Sequence, residues 1–178
     1  MSLPTELECA SGSVEETQAF GERLGRLLRP GDVLALHGEL GSGKTTLIQG
    51  IARGLGCDPA AVKSPTFVIL REYPGTVPLI HVDGYRLGGA PSAAWLDLEL
   101  VFSPRKVTVI EWAERFEGLL PDERLTVQLN HVSANRRRIQ LVPAGRRTAE
   151  MAEQLQSDMR HPPSDVSAEK GRDEASRD

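Results

Sequence analysis

Apolar residues along this chain fall into short continuous runs, separated by stretches in which they recur every three or four positions. Three of the runs have the length of buried strands: Asp32–His37, Leu79–Asp83 and Val107–Glu111. Helical spacing is clearest in two groups, Phe20, Leu24, Leu27 and Leu28, and then Leu47, Ile48, Ile51 and Leu55. The alternation of the two patterns predicts an α/β fold with a largely parallel sheet.

Weaker patterns predict the remaining elements. Ser13 and Glu16 have the spacing of a capping box at the start of the first helix, and Gly56 has the position of a cap at the end of the second. Phe67–Tyr73 is predicted to be a strand and Ala93–Val101 a helix. A terminal hairpin is expected from Thr126–Asn130 and Arg137–Val142. Together these elements predict a three-layer fold in which the hairpin adds antiparallel strands to a mostly parallel sheet.

The composition changes after Ala144. Residues 145–178 carry 6 Lys/Arg and 8 Asp/Glu residues and no aromatic residue. Such a segment buries too little apolar area to offset the entropy of ordering it. Met151, Leu155 and Met159 allow a short helix, but the stripe is narrow, and we expect it to fray rather than dock. The sequence thus predicts one domain over residues 1–144 and a charged, disordered tail over 145–178.

Residues Gly38–Thr45 match the full pattern G-x-x-x-x-G-K-[ST] of a phosphate-binding loop, between a predicted strand and a predicted helix. The candidate binding residues are Gly38, Glu39, Leu40, Gly41, Ser42, Gly43, Lys44, Thr45 and Thr46. The glycines let the backbone approach an anion, and the loop N–H groups surround a pyrophosphate at the positive end of the helix. Lys44 can reach the β- and γ-phosphate oxygens, and the Thr45 hydroxyl can bind Mg²⁺. The motif therefore predicts a P-loop NTPase fold that binds a nucleoside triphosphate.

Two of the predicted strands end in a carboxylate, Asp83 and Glu111. Because the carboxyl ends of parallel strands form the edge of the sheet where ligands bind, we expect both acids beside the phosphate loop. Phosphoryl transfer needs one acid to hold Mg²⁺ with the loop hydroxyl, and often a second group to orient the attacking oxygen. Either carboxylate alone could instead cap a neighbouring turn.

Three further features have both a structural and a functional interpretation. Ser64–Phe67 has the position of a switch segment, although Ser-Pro-Thr is also a common turn before a strand. The run Arg136–Arg138 suits one side of an exposed strand, or an arginine that reaches the nucleotide or a partner. His37 and His81 lie among apolar residues, and we interpret both as core or hydrogen-bonded histidines.

The composition limits the classes of function. A net charge of −4 gives no sign that the chain as a whole binds nucleic acid. Cys9 and Cys57 lack metal-ligand spacing; reduced thiols are expected, with a single disulfide left open. The N-terminus shows no signal-peptide pattern, and no apolar run reaches transmembrane length. We therefore expect a soluble, cytoplasmic protein without membrane contact.

Four motifs in order resemble the TsaE family, the small bacterial ATPases of tRNA threonylcarbamoyladenosine biosynthesis. They are Gly38–Thr46, Ser64–Phe67, His81–Leu87 and Ile110–Trp112. The phosphate loop alone is generic, whereas the four motifs in this order are specific, and they leave the C-terminal segment uncovered. One departure is Gly84, where the family usually has a bulky residue.

The resemblance implies an ATPase that needs Mg²⁺ and acts with a TsaB–TsaD heterodimer, meeting tRNA only through that complex. In that complex TsaD transfers the threonylcarbamoyl group to the adenosine beside the anticodon, and ATP hydrolysis supports repeated turnover. Carried over by position, the implied catalytic residues are Lys44, Thr66, Asp83 and Glu111. Mg²⁺ would be held by Thr45 and Glu111, the switch residues would be Ser64, Thr66 and Trp112, and Arg137 would flank the base.

Two other functions fit the same motifs. A small-molecule kinase would use the phosphate loop and both acids on a substrate hydroxyl, although no long basic lid lies between Glu111 and the terminal hairpin. A nucleotide-gated binding module would keep the loop without using hydrolysis. Low intrinsic activity is expected for the ATPase, since no obvious arginine finger lies near the loop in the sequence.

Overall fold

The computed structural model of the chain describes residues 6–63, 69–86 and 96–161. Its strands are β1 (Leu7–Ser11), β2 (Val33–His37), β3 (Leu70–Tyr73), β4 (Leu79–Asp83), β5 (Val107–Glu111), β6 (Arg124–His131) and β7 (Arg137–Ala144). Its helices are α1 (Val14–Leu27), α2 (Lys44–Gly54), α3 (Leu98–Val101) and α4 (Arg146–Arg160). Short 3₁₀ helices cover Pro59–Ala61 and Ala113–Phe116.

Seven strands form one sheet in the order β1-β7-β6-β2-β5-β4-β3. The four central strands, β6, β2, β5 and β4, run parallel to one another. Strand β3 is antiparallel to β4 at one edge, and β7 is antiparallel to β6 and β1 at the other. The predicted α/β fold, with a mostly parallel sheet and an antiparallel C-terminal hairpin, is confirmed.

Strand β1 was not predicted. It pairs with β7 along its whole length, from Leu7 opposite Leu141 to Ser11 opposite Arg137. Of its five residues only the two at its ends are buried, so the segment shows little of the apolar alternation that marks a strand. Its structure is set by the partner strand rather than by its own sequence.

Alternate residues of the central strands pack into two cores on opposite faces of the sheet. On β2, Leu34 and Leu36 belong to the larger core with residues of α1, α2 and α4, whereas Val33 and Ala35 belong to the smaller core with Phe116. Covering both faces is what a parallel sheet requires, because its strands are apolar on both sides. The result is the expected three-layer arrangement, with the parallel strands directed toward one common edge.

The helix ends follow the predicted signals. The Ser13 hydroxyl accepts the N–H of Glu16 at 3.1 Å, which satisfies a free donor of the first turn of α1, and the Glu16 carboxylate accepts the N–H of Gly12, just before the cap, at 2.6 Å. Gly56 follows the last turn of α2 with φ 76°, a left-handed conformation that suits glycine. Asp97 caps α3 by accepting the N–H of Glu99 and of Leu100, which explains why this helix begins at Leu98.

Helices α1 and α2 pack at backbone distance. Gly21 and Gly25 of α1 face Gly50 and Gly54 of α2, with no side chain between them. A Cβ atom on Gly50 would lie 2.9 Å from the Cα of Gln18, and one on Gly54 would lie 2.8 Å from the Cα of Gly25. Since these contacts involve backbone atoms that cannot move aside, four glycines fix the separation of the two helices.

The expectation of a disordered tail from residue 145 is wrong for its first part. Helix α4 docks on the larger core, and the side chains of Met151 and Leu155 are buried. The Arg147 guanidinium ties its first turn to α1, donating to the carbonyl oxygen of Leu27 at 2.6 Å and to Asp32 at 3.0 Å. The narrow apolar stripe of α4 docks because it packs against the larger core and because Arg147 forms an ion pair with Asp32. Residues 162–178 lie outside the described ranges.

Two other predicted elements are shorter than expected in the described part of the chain. The strand expected over Phe67–Tyr73 begins at Leu70, and residues 67–68 lie outside the described ranges. The helix expected over Ala93–Val101 is present over Leu98–Val101, and residues 93–95 lie outside as well.

Both cysteines are free thiols, as expected. Burial, assisted by the neighbouring Glu8 charge, raises the pKa of the Cys9 thiol to about 11. Burial also raises the pKa of Cys57. Within residues 6–63, 69–86 and 96–161, no helix is long and apolar enough to cross a bilayer.

Candidate functional site

The phosphate-loop motif forms a turn between β2 and α2. Strand β2 ends at His37, and α2 begins at Lys44. Gly43, the residue before the helix, has φ 103°, which an L side chain rarely adopts. A Cβ atom on Gly38 would lie 2.6 Å from the carbonyl oxygen of Leu129 and 2.6 Å from the Ser42 hydroxyl. The loop therefore needs glycine at both ends, and it presents the first N–H groups of α2 to the sheet edge.

Lys44 lies at the centre of this site and is only 5% exposed. Its ammonium group donates to the carbonyl oxygens of Gly38 at 2.6 Å and Glu39 at 2.9 Å, and lies 4.2 Å from the centre of the Trp112 ring. Burial lowers the pKa of Lys44, and the charges of three carboxylates, Glu111, Glu114 and Asp83, oppose that shift. A buried cation that faces three acids marks a site of concentrated charge.

The two predicted acids meet beside the loop. Asp83 and Glu111 are directly opposite each other on β4 and β5, and both are buried. One carboxylate oxygen of Glu111 accepts a hydrogen bond from the Thr45 hydroxyl at 3.3 Å and lies 2.9 Å from Nε2 of His81. His81 is thus a hydrogen-bonded core histidine, as interpreted from the sequence.

Thr45 and Glu111 provide the kind of oxygen ligands that Mg²⁺ prefers, a hydroxyl and a carboxylate within 3.3 Å of each other. Among the described residues no group of three His, Cys, Asp or Glu side chains converges on a metal site. An Mg²⁺ ion in a phosphate loop takes one or two protein ligands and completes its shell with phosphate oxygens and water, so the pair of Thr45 and Glu111 would suffice. The residues present therefore fit the ion that the motif implies.

Asp83 has a structural contact as well as a position at the site. Its carboxylate accepts the N–H of Tyr85 at 2.9 Å, which stabilises the turn after β4. Its charge also acts on Lys44. Asp83 therefore has a contact within the turn and also lies near Lys44, while its role as a site residue stays a prediction.

Trp112 follows Glu111 in an unusual backbone conformation. Its φ of 56° is the only positive value at a non-glycine position in the part of the chain that the structure describes. Its ring contacts that of Tyr85, with centroids 5.1 Å apart. A Cβ atom on Gly84 would lie 2.8 Å from the Trp112 carbonyl oxygen and 2.8 Å from the Phe116 ring. This close packing accounts for glycine at position 84.

Arg137 lies beside the phosphate loop at the start of β7. A Cβ atom on Gly43 would be 3.9 Å from its Nε. Its guanidinium group donates to the carbonyl oxygens of Ser133 and Arg136, both at 3.1 Å. The structure thus brings Arg137 to the loop. Ser64 and Thr66 lie outside the described residues, so their role as switch residues stays a prediction.

The contact between His37 and Glu114 was not predicted from the sequence. His37 Nδ1 lies 3.2 Å from a carboxylate oxygen of Glu114, in the 3₁₀ helix after Trp112. His37 is thus partly exposed and contacts a carboxylate, a partner that was not named from the sequence. The two residues are far apart in the sequence, and no local motif joins them.

Similarity to a known protein family extends over most of the chain. The sequence model of the family described as threonylcarbamoyl adenosine biosynthesis protein TsaE matches residues 11–139. The chain belongs to the TsaE family. The matched range includes the phosphate loop, both acids and the start of β7, and it ends before α4.

Individual TsaE proteins are similar over most of their length. The tRNA threonylcarbamoyladenosine biosynthesis protein TsaE of Bacillus subtilis is 38% identical over 151 residues, covering 84% of this chain and 94% of that protein. The protein of the same name from Streptomyces coelicolor is 47% identical over 115 residues, 62% of this chain and 76% of that protein. The crystal structure of Bacillus subtilis YdiB superposes with a TM-score of 0.74 at 32% identity, covering 89% of this chain and 99% of YdiB.

Proposed function

We propose that this TsaE-family chain is a Mg²⁺-dependent ATPase required for threonylcarbamoyl modification of the tRNA adenosine beside the anticodon. It acts in the cytoplasm with a TsaB–TsaD heterodimer and meets tRNA only through that complex. The observation that carries the ATPase assignment is the contact between Thr45, at the start of α2, and Glu111, at the end of β5. That pair lies next to Lys44, which a triphosphate on the loop would reach.

Each residue of the site has a separate role in phosphoryl transfer. The loop N–H groups and the positive end of α2 bind the pyrophosphate, and Lys44 neutralises charge on the outer phosphates. Thr45 and Glu111 would hold Mg²⁺, which supplies further charge neutralisation when bound. Asp83, across from Glu111 and close enough to act on Lys44, orients the attacking water.

Low activity of the isolated chain is expected from the contacts of Arg137, which lies beside the phosphate loop. The Arg137 guanidinium is bonded to carbonyl oxygens of the hairpin turn that precedes it. With its guanidinium held in the hairpin turn, Arg137 would leave the transition-state charge at the γ-phosphate only partly neutralised. Groups supplied by the TsaB–TsaD pair would complete the site, as groups acting in trans do in other P-loop proteins.

The test is phosphate release from ATP by the purified chain, alone and with the TsaB–TsaD pair and tRNA, together with threonylcarbamoyladenosine formed over several turnovers. Lys44→Met is the sharpest variant, since Lys44 is buried and methionine retains much of its aliphatic stem. We expect it to fold normally and to lose hydrolysis. Normal hydrolysis by Lys44→Met would contradict the assignment.

The same assay separates the other functions. A phosphorylated metabolite, formed in place of free phosphate, would indicate a kinase. ATP binding without any turnover, even with the partners and tRNA, would indicate a nucleotide-gated binding module.

A further inference from the structure

A side-chain contact, 3.2 Å between His37 Nδ1 and a carboxylate oxygen of Glu114, joins the phosphate-loop strand to the segment after Glu111. His37 immediately precedes Gly38, whose carbonyl oxygen accepts a hydrogen bond from Lys44. Glu114 lies in the 3₁₀ helix whose first turn begins after Trp112. With side chains 32% and 45% exposed, both partners remain partly in contact with water. A contact that is open to water in this way can be released at small cost.

The segment that Glu114 holds has a strained start. A left-handed conformation at Trp112 costs free energy and persists only where the surroundings determine it. Ala113 and Phe116 anchor the segment in the smaller core, where both are fully buried. On the side that faces β2, the His37 side chain contacts Glu114 of this segment.

The arrangement has a consequence for Lys44. Its ammonium group is engaged by two loop carbonyl oxygens and by the face of the Trp112 ring. A triphosphate on the loop would need the same ammonium group. Any contact that keeps Trp112 over Lys44 therefore competes with the phosphates.

We propose that His37 is a positioning residue that, through Glu114, holds Trp112 over Lys44 and thereby weakens ATP binding. The proposal rests on the ATP site described above. When the contact between His37 and Glu114 breaks, Trp112 no longer covers Lys44, and the ammonium group is free to bind phosphate. The contact thereby couples the segment after Glu111 to the phosphate loop. A partner that contacts the exposed side of Glu114 would have the same effect as breaking the pair.

Two measurements test the pair, both in a Trp95→Phe background in which Trp112 is the remaining tryptophan. Acrylamide quenching without nucleotide reports the exposure of the Trp112 ring, and calorimetric titration with ATP and Mg²⁺ reports the affinity. For His37→Leu we expect stronger quenching and ATP binding that is about two- to fivefold tighter, the range open to one half-exposed polar contact.

Matched variants separate the effect of the pair from general effects of substitution. His37→Asn, whose amide nitrogen can replace Nδ1, should restore both values. Glu8→Gln removes an exposed contact with Arg138 at the far edge of the sheet and should change neither. Because Glu114 also acts on Lys44 by charge alone, the double variant His37→Leu with Glu114→Ala isolates the pair, and its effects should be clearly less than additive.

Unchanged quenching in His37→Leu, additive effects in the double variant, or weaker ATP binding would each overturn the proposal. Weaker binding is the result expected if His37 only neutralises the Glu114 charge. A parent protein that binds no ATP would refute the proposed function, and the quenching experiment would still decide whether the pair positions Trp112.

Discussion

Glu111 uses one carboxylate oxygen for two neighbours of different chemistry, the Thr45 hydroxyl and the His81 ring. The His81 ring nitrogen Nε2 lies 2.9 Å from that oxygen, so His81 helps to hold the Glu111 carboxylate in place. The hydroxyl and the carboxylate are then held ready for a cation. At the scale of residues, the two acids of the site thus have distinct surroundings, since Asp83 bonds to the turn after its own strand.

This difference predicts different effects of substitution. Glu111→Ala should raise the Mg²⁺ concentration needed for half-maximal ATP hydrolysis by about tenfold or more, because it removes a metal ligand. Asp83→Asn should lower kcat by about 100-fold with little change in ATP affinity, as expected for a group that acts in the transition state. The measurements are Mg²⁺ titrations of hydrolysis and direct ATP binding for both variants. Equal Mg²⁺ dependence would show that the roles are assigned wrongly.

Most candidate site residues could be predicted because their signals are local. Glycines and a lysine at fixed spacing define the loop, and an acid at the end of an apolar strand is carried to the sheet edge by the fold. The His37–Glu114 contact and the strained backbone at Trp112 could not be predicted. Both depend on how the segment after β5 packs against β2, which no spacing in the sequence records.

At the scale of elements, glycines allow α1 and α2 to pack closely. The helical pattern of the sequence does not show their importance. In a sequence, glycine in a helix interior indicates reduced helix propensity, and the benefit appears only when the two backbones are placed in contact. The strands β4 and β5 were predicted with their observed bounds because they are short, apolar and buried. Strand β1 was missed because only its ends are buried.

The helix contact leads to a stability prediction. Gly50→Ala places a Cβ atom 2.9 Å from backbone atoms of Gln18, so the helices must separate. We expect a net loss of about 1–3 kcal/mol in the free energy of unfolding, despite the higher helix propensity of alanine. Urea denaturation measures it.

Gly12→Ala is the control for this prediction, because its Cβ atom would meet only the flexible Glu16 side chain, at 3.3 Å. It should change stability by less than about 1 kcal/mol. A Gly50→Ala protein as stable as the parent would mean that the helices do not pack at this distance.

At the scale of the whole molecule, α4 extends the domain beyond the residues that the family sequence model matches. Composition averaged over residues 145–178 concealed it, because the charged residues at the end of the segment outweigh a short apolar stripe. What decides docking is the surface that receives the stripe, formed by α1 and the sheet, and this surface exists only in the folded chain.

Helix α4 should therefore contribute to stability and not to the chemistry of the site. Leu155→Ala should lower the free energy of unfolding by about 2–5 kcal/mol, because the side chain is fully buried. The exposed neighbour Glu153→Ala is the matched control and should change it by less than about 0.5 kcal/mol. Chemical denaturation compares the two. A truncation after His161 should unfold like the full chain, whereas one after Ala144 should be clearly less stable.

Because of the glycine contact, the position of α2 on α1 is fixed, whereas the turns on the other side of the phosphate loop can rearrange. The phosphate loop leads into α2, and α2 cannot slide along α1 without backbone collisions. On the other side of the loop, the turns after β4 and β5 are joined to it by side-chain contacts, which can exchange partners at small cost. A rearrangement after the proposed hydrolysis would thus be easier on this second flank of the nucleotide, where a partner protein could sense the state of the site.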